Sequence, residues 1–227
     1  MSRQLNSRRN ALYAVGALTL TVGSLIYSAS IAADLNLTQR IIRAPARGVF
    51  LVADAKLRDA NFSHSVVLLT DHGASGSVGL IINKRTSVAI TSMVPRLRTL
   101  ESPETNIFFG GPVSLQSVRI LVSSSNDVES SERIVPEVYF VNSIEVLLAL
   151  LKNGGSTSEH SIKYFAGYAA WSPGQLESEI AGGDWHLASA SETTVFSKDV
   201  DGIWPKLIEQ LEGTWVLLDN ASSNGGN

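Results

Sequence analysis

The residues best suited to chemistry in this chain lie in one stretch, Tyr164 to Ile180, reading YFAGYAAWSPGQLESEI. Its carboxylates are Glu177 and Glu179, and paired acids are the usual equipment for general acid–base work. Their spacing argues against a shared substrate, because residues two apart on a helix point about 200° apart. A structural account is sufficient: acids in the first turns of a helix interact favourably with its N-terminal dipole. Elsewhere there is no Gly-x-Ser-x-Gly elbow, no Ser-x-x-Lys and no cysteine, so the common nucleophile settings are missing. His64 stands between Ser63 and Ser65, but neighbours on a strand point to opposite faces, so no Ser–His pair is expected there. The histidines, His64, His72, His160 and His186, form no i, i+4 pair and no His-x-His, and no metal set is expected; His72 beside Asp71 is the pair a folded chain could complete. Gly110-Gly111-Pro112 lacks the following helix with Lys and Ser/Thr that a phosphate loop needs and reads as a tight turn. Tyr164, Phe165, Tyr168 and Trp171 have the chemistry of a stacking platform, but core packing suits them better. No catalytic residue and no cofactor is assigned.

The elements that must position these side chains follow from cap and turn signals. Ser172, Pro173 and Gln175 make a capping box with proline at the first helical position, so a helix is expected from Ser172 to the Gly182-Gly183 pair. The preceding run, 162–171, has the aromatic and small-residue content of a buried strand. Upstream, 48–54 and 78–82 read as strands and 59–70 as a turn followed by a strand, the last two strands paired as a hairpin around the Gly/Ser-rich 71–77. Further strands are expected at 107–113, 118–122, 138–141 and 184–188. Helices are expected at 92–100, interrupted by Pro95, after the capping pattern Asn142-x-x-Glu145, and at 203–211. The polar 123–132 reads as a mobile loop, and 215–218 as a terminal strand or tail. Hairpin strands with a few short helices fit an α+β fold rather than a βαβ alternation.

Composition bounds the rest. The 227 residues are 44% hydrophobic and 17% charged, a globular balance. The lack of cysteine excludes disulfides, thiolate metal sites and acylation at cysteine. Arg3, Arg8 and Arg9 precede Ala11 to Ala33, a stretch without charge. Residues 1–33 therefore read as a signal peptide or an uncleaved membrane anchor, followed by a linker at 34–47, a domain at 48–219 and a disordered tail at 220–227. Arginine on the N-terminal side alone places the body outside the cytoplasm, periplasmic or anchored to the cytoplasmic membrane. Setting those arginines aside leaves 15 basic against 21 acidic residues, which disfavours nucleic acid and leaves a protein, a small molecule or, through 11–33, the membrane as partner.

Three motifs occur in order: the 48–84 block ending Gly79-Leu80-Ile81-Ile82-Asn83-Lys84, then Gly110-Gly111-Pro112-Val113, then Gly167-Tyr168-Ala169-Ala170-Trp171-Ser172-Pro173-Gly174-Gln175-Leu176-Glu177-Ser178-Glu179-Ile180. Together they resemble the AlgH/YqgE-like family over 48–211. Ala170 stands where that family usually has glycine, and Ala60 where it commonly has proline, so a looser turn is expected before Asn61. The resemblance implies a bent, mostly antiparallel sheet closed towards a barrel, a pseudo-barrel, with short helices packed outside. It carries the label of transcriptional regulator but no established reaction. The motif residues Asn83, Lys84, Gly110, Gly111, Pro112, Gly167, Tyr168, Trp171, Gly174, Gln175, Glu177 and Glu179 are the candidate pocket. The readings held open are noncatalytic binding or regulation, transcriptional control, and a hydrolase or lyase using Glu177 or Glu179 in a cleft with Tyr168 and Lys84.

Overall fold

A computed structural model describes residues 42, 44–99, 106–153 and 161–211. The expected leader or anchor, most of the linker, 215–218 and the tail lie outside the described residues. The strands are β1 (Val49–Ala53), β2 (Val66–Gly73), β3 (Gly76–Ile81), β4 (Arg85–Ala89), β5 (Asn106–Phe109), β6 (Val113–Ser123), β7 (Glu132–Val135), β8 (Val138–Val141), β9 (Ser161–Trp171) and β10 (Trp185–Ser189). The helices are α1 (Ile90–Met93), followed by a 3-10 turn at Pro95–Thr99, then α2 (Ile144–Asn153), α3 (Gln175–Gly182), α4 (Glu192–Val195) and α5 at 203–211. The strands run in the order β10-β1-β2-β3-β9-β6-β8-β7, with β4 and β5 attached beside β9. Every pairing is antiparallel except β5 with β9. The result is an α+β fold with a curled antiparallel half-barrel and a few short helices.

The run VFLVA of β1 is buried at every position, because both faces of the sheet are covered there. Phe50 and Val52 point into one cluster with Leu68, Leu80, Phe165 and the apolar residues of α5. Leu51 and Ala53 point into another with Trp171, Leu176 and Trp185 beneath α3. A third cluster, under α1 and α2, holds Ile120, Val122, Tyr139 and Tyr164.

The strand that ties these together is β9. At Ala166 it pairs with Phe109 of β5 on one edge and with Val118 of β6 on the other. The link between β5 and β6 is only Gly110-Gly111-Pro112, so it must pass over β9 to change edges. It crosses at Gly167. Gly110 N–H donates to the Ala166 carbonyl at 2.9 Å, and its own carbonyl accepts from Ile81 N–H at 2.9 Å. A Cβ on Gly110 or Gly111 would run into the backbone of Gly167, Tyr168 and Ala169, and one on Gly167 would run into the carbonyls of Gly111 and Val113. Gly111 and Gly167 also have positive φ, +149° and +67°. The expected tight turn is therefore a backbone-on-backbone crossing that only glycine permits.

Several local expectations are corrected. The helix at 144–153 is capped by Ser143, whose Oγ accepts from the N–H groups of Glu145 and Val146, rather than by Asn142. The segment expected as a mobile loop ends in β7 and is tied down by buried Val128, the Ser131 Oγ bond to its carbonyl, and Asp127 bonded to Arg133 and Tyr139. The turn before Asn61 is not loose, because the Asp59 carboxylate accepts from Asn61 and Phe62 N–H at 2.8 and 3.1 Å. β4, β7 and α4 had no sequence signal, being four or five residues long and partly polar.

The crossing is testable by alanine substitution. Gly111→Ala or Gly167→Ala should cost more than about 3 kcal/mol or abolish cooperative unfolding in urea, since backbone must move. Gly174→Ala, where nothing lies within 4 Å of the new methyl, should cost only about 1 kcal/mol for its positive φ.

Candidate functional site

The stretch Ser172 to Gln175 builds a turn before it builds a helix. Ser172 carbonyl accepts from Gln175 N–H at 3.0 Å, and Gly174 has φ +76° and ψ −10°. With proline second and a left-handed glycine third, this is a type II turn. Thus α3 starts at Gln175, not Ser172. Half of the capping box survives, as Gln175 Oε1 accepts from Ser172 N–H at 3.0 Å. The expected glycine stop is present: Gly183 N–H donates to Ile180 carbonyl and Asp184 N–H to Glu179 carbonyl, a Schellman motif.

The two acids of α3 part company, as their spacing dictates. Glu179 turns inward. Its Oε2 accepts from both indole N–H groups, Trp171 at 2.8 Å and Trp185 at 2.9 Å, and its Oε1 from Gln175 Nε2 at 2.9 Å. The two indoles and Phe62 pack edge-on or tilted at 5.6 to 6.0 Å. Glu177 is half exposed, with His72 Nε2 3.7 Å away and His72 Nδ1 against Ser77 Oγ. The arrangement holds α3 on the sheet through one carboxylate; it does not present a carboxylate pair to one substrate.

Asn83 and Lys84 act on the loop before β2. Asn83 Oδ1 accepts from Val66 N–H and its Nδ2 donates to His64 carbonyl, while Lys84 Nζ donates to Asn61 carbonyl at 2.6 Å. Partial burial lowers the Lys84 amine below its ordinary range, and Asp59 opposes that. In this loop Ser63 Oγ and His64 Nδ1 do meet, at 2.8 Å. The opposite-face argument fails because His64 sits in a turn at φ +56°, not on a strand. The His64 ring lies edge-on to Trp204. His186 bonds Asp54 at 2.9 Å, and His160 lies outside the described residues.

Tyr168 takes a different course. Phe165 faces the half-barrel interior, and simple alternation would send Tyr168 to the other face. The left-handed Gly167 shifts the alternation by one residue, so Tyr168 returns to the interior side and Ala169 and Trp171 go to the α3 side. There Tyr168 lines a cavity of about 330 Å³ with Arg47, Thr70, Asp71, Val78, Leu80, Arg119, Glu132 and Phe140. Arg119, opposite Phe165 in register, lays its guanidinium 4.9 Å from the Tyr168 ring centre. Arg47 spans the acids, 3.0 Å from Glu132 and 3.5 Å from Asp71. Of the candidate residues, only Tyr168 lines this cavity. Arg47 and Arg119 carried no motif signal; a lone arginine in the strand SVRILV was the available clue.

The AlgH-like family model matches residues 50–216. This chain belongs to the AlgH-like family. A UPF0301 protein of Chlorobium luteolum is 32% identical over 176 residues, 78% of this chain and 91% of that protein, and one of Parabacteroides distasonis is 33% identical over 76% and 87%. Among solved structures, a Corynebacterium diphtheriae protein superposes with TM-score 0.65 at 26% identity, covering 77% of this chain and 91% of that one. The AlgH protein of Pseudomonas aeruginosa gives 0.55 at 26% identity, covering 70% and 85%. The AlgH-like motifs thus serve three separate junctions: the crossing, the α3 clamp and the 61–66 loop. The family has no assigned molecular function, and the cavity takes Tyr168 and the 48–84 block's Thr70, Asp71, Val78 and Leu80 from its motifs, and Arg47, Arg119, Glu132 and Phe140 from outside them.

One buried group of this AlgH-like chain had no place in the sequence reading. Lys163 of β9 is 7% exposed and its Nζ finds no hydrogen-bond partner among the described residues. It lies 4.4 Å from the Phe108 ring centre. Burial, with a smaller contribution from Arg85, lowers the amine to about 8.

Two stability predictions follow from these contacts. Glu179→Gln, which leaves an amide N–H₂ facing either the indole donors or Gln175 Nε2, should cost about 2–3 kcal/mol in urea unfolding, and Glu177→Gln less than about 0.5 kcal/mol. Lys163→Met should stabilise the fold at pH 7 by about 1–3 kcal/mol, since it removes a buried charge. The sign with pH is fixed: the unfolded lysine keeps its proton up to about 10.5, the folded one loses it near 8. Wild-type stability should therefore gain on the variant between those pH values, and the gap should be constant below 8.

Proposed function

We propose that this AlgH-like domain acts outside the cytoplasmic membrane, exported or tethered, and works by binding rather than by turnover. The observation that supports binding is Arg119. Its guanidinium rests on Tyr168 at the wall of the cavity and has no ion-pair partner among the described residues. The acids of the same cavity are engaged by Arg47. A positive charge with open donors therefore faces a space at the small end of ligand sites, next to the apolar surface of Val78, Leu80 and Phe140. A compact carboxylate or phosphate with a short apolar body fits that chemistry. Against turnover, both oxygens of Glu179 are held by structural donors and Glu177 is turned away from it. The location rests on the arginines before Ala11 to Ala33.

The test is a thermal-shift survey of small carboxylates and phosphates on wild type and Arg119→Ala. At least one compound should raise the wild-type Tm, and the shift should vanish in the variant. A survey with no shift, or one that Arg119→Ala leaves unchanged, overturns the binding reading. Cell fractionation with the mass of the mature N-terminus tests the location; a full-length cytoplasmic protein overturns it.

A further inference from the structure

Lys163 has been taken out of water and given no hydrogen-bond partner among the described residues in return. Its neighbours are the Phe108 face and the guanidinium of Arg85, 5.6 Å from the same ring. Arg85 is exposed and donates one hydrogen bond, 3.2 Å, to the Lys198 carbonyl. A lysine placed only to fill space there is a poor choice, because an apolar residue of similar volume fits without the cost of desolvating an ammonium. Desolvation and an adjacent cation are, however, the two conditions that make a lysine amine nucleophilic, since both favour the neutral form that carries the lone pair. Lys163 meets both, with its amine lowered to about 8.

We propose that Lys163 is a carbonyl-capturing amine, binding a small aldehyde or 2-oxo acid as a reversible imine, with Arg85 receiving the carboxylate of the acid. The neutral Nζ adds to the carbonyl carbon, forming the C–N bond, and an amine proton passes to the oxygen to give a carbinolamine. Loss of that oxygen as water leaves the imine, and hydrolysis returns amine and carbonyl compound. No oxidant or reductant is consumed. Arg85 is the exposed group beside the same Phe108 ring, so it marks the side from which a carboxylate in solvent arrives. Lys163 does not line the Tyr168 cavity, so this capture stands apart from the binding proposed there.

The test is reductive trapping on the folded wild-type protein with glyoxylate or propanal and cyanoborohydride, read by peptide mass mapping. Lys163 should label roughly tenfold or more faster than exposed Lys56 near neutral pH. Its rate should rise with pH about a midpoint near 8. Labelling of Lys163 at or below Lys56 in the native protein, with both equal only after denaturation, overturns the proposal. Arg85→Gln, a change at an exposed side chain, should slow glyoxylate labelling more than propanal labelling. Equal effects on the two probes overturn the role given to Arg85.

Discussion

The crossing of Gly110-Gly111 over Gly167 is the constraint on which the rest of the structure depends. β9 pairs with β3, β5 and β6, and the last two lie on opposite edges. A three-residue link can change edges only by passing directly over the strand, with its backbone against the backbone below. Side chains at any of the three glycines would hold the two segments apart. Gly110 N–H, donating to the Ala166 carbonyl, and the Gly110 carbonyl, accepting from Ile81 N–H, then lock β3, β5 and β9 at one point.

That crossing also decides which side chains reach which face. The left-handed turn of Gly167 inserts one step into the alternation of β9. Tyr168 consequently meets Arg119 on the interior side, while Trp171 meets Glu179 beneath α3. Two residues three apart in one motif thus serve unrelated ends. Tyr168 shapes a cavity with a half-buried cation, and Trp171 is half of a clamp in which one carboxylate oxygen gathers two indole N–H groups. The clamp satisfies buried donors that would otherwise be costly, which accounts for an acid at 179 and leaves 177 free to face solvent.

The interior side of the half-barrel also concentrates cations. Arg119 and Lys163 face it from neighbouring strands, and Arg85 reaches it from β4. Arg47 is balanced by Asp71 and Glu132, whereas Lys163 and Arg119 are met by aromatic faces instead of acids. Ring quadrupoles stabilise such cations less than a carboxylate does and leave their donors open, which is the condition a recognition site requires.

Much of the fold was legible in the residues. The apolar runs located β1, β2, β3, β8, β9 and β10, the glycine pair located the end of α3, and the two-residue spacing of the acids foretold that they would separate, because each of these depends on local periodicity. Short polar elements such as β4 and α4 were not legible, since tertiary contacts and not propensity hold them. The Ser63–His64 contact and the orientation of Tyr168 were misjudged or unforeseen for one reason: a single left-handed residue, His64 or Gly167, overrides alternation. The sequence by itself determined the family, the α+β class and the types of residue at each junction. Only the tertiary structure decided that Gly110, Gly111 and Gly167 meet, that Glu179 faces two indoles, and that Arg119 and Lys163 stand among aromatic rings, because these are contacts between residues far apart in the chain whose approach is governed by sheet pairing.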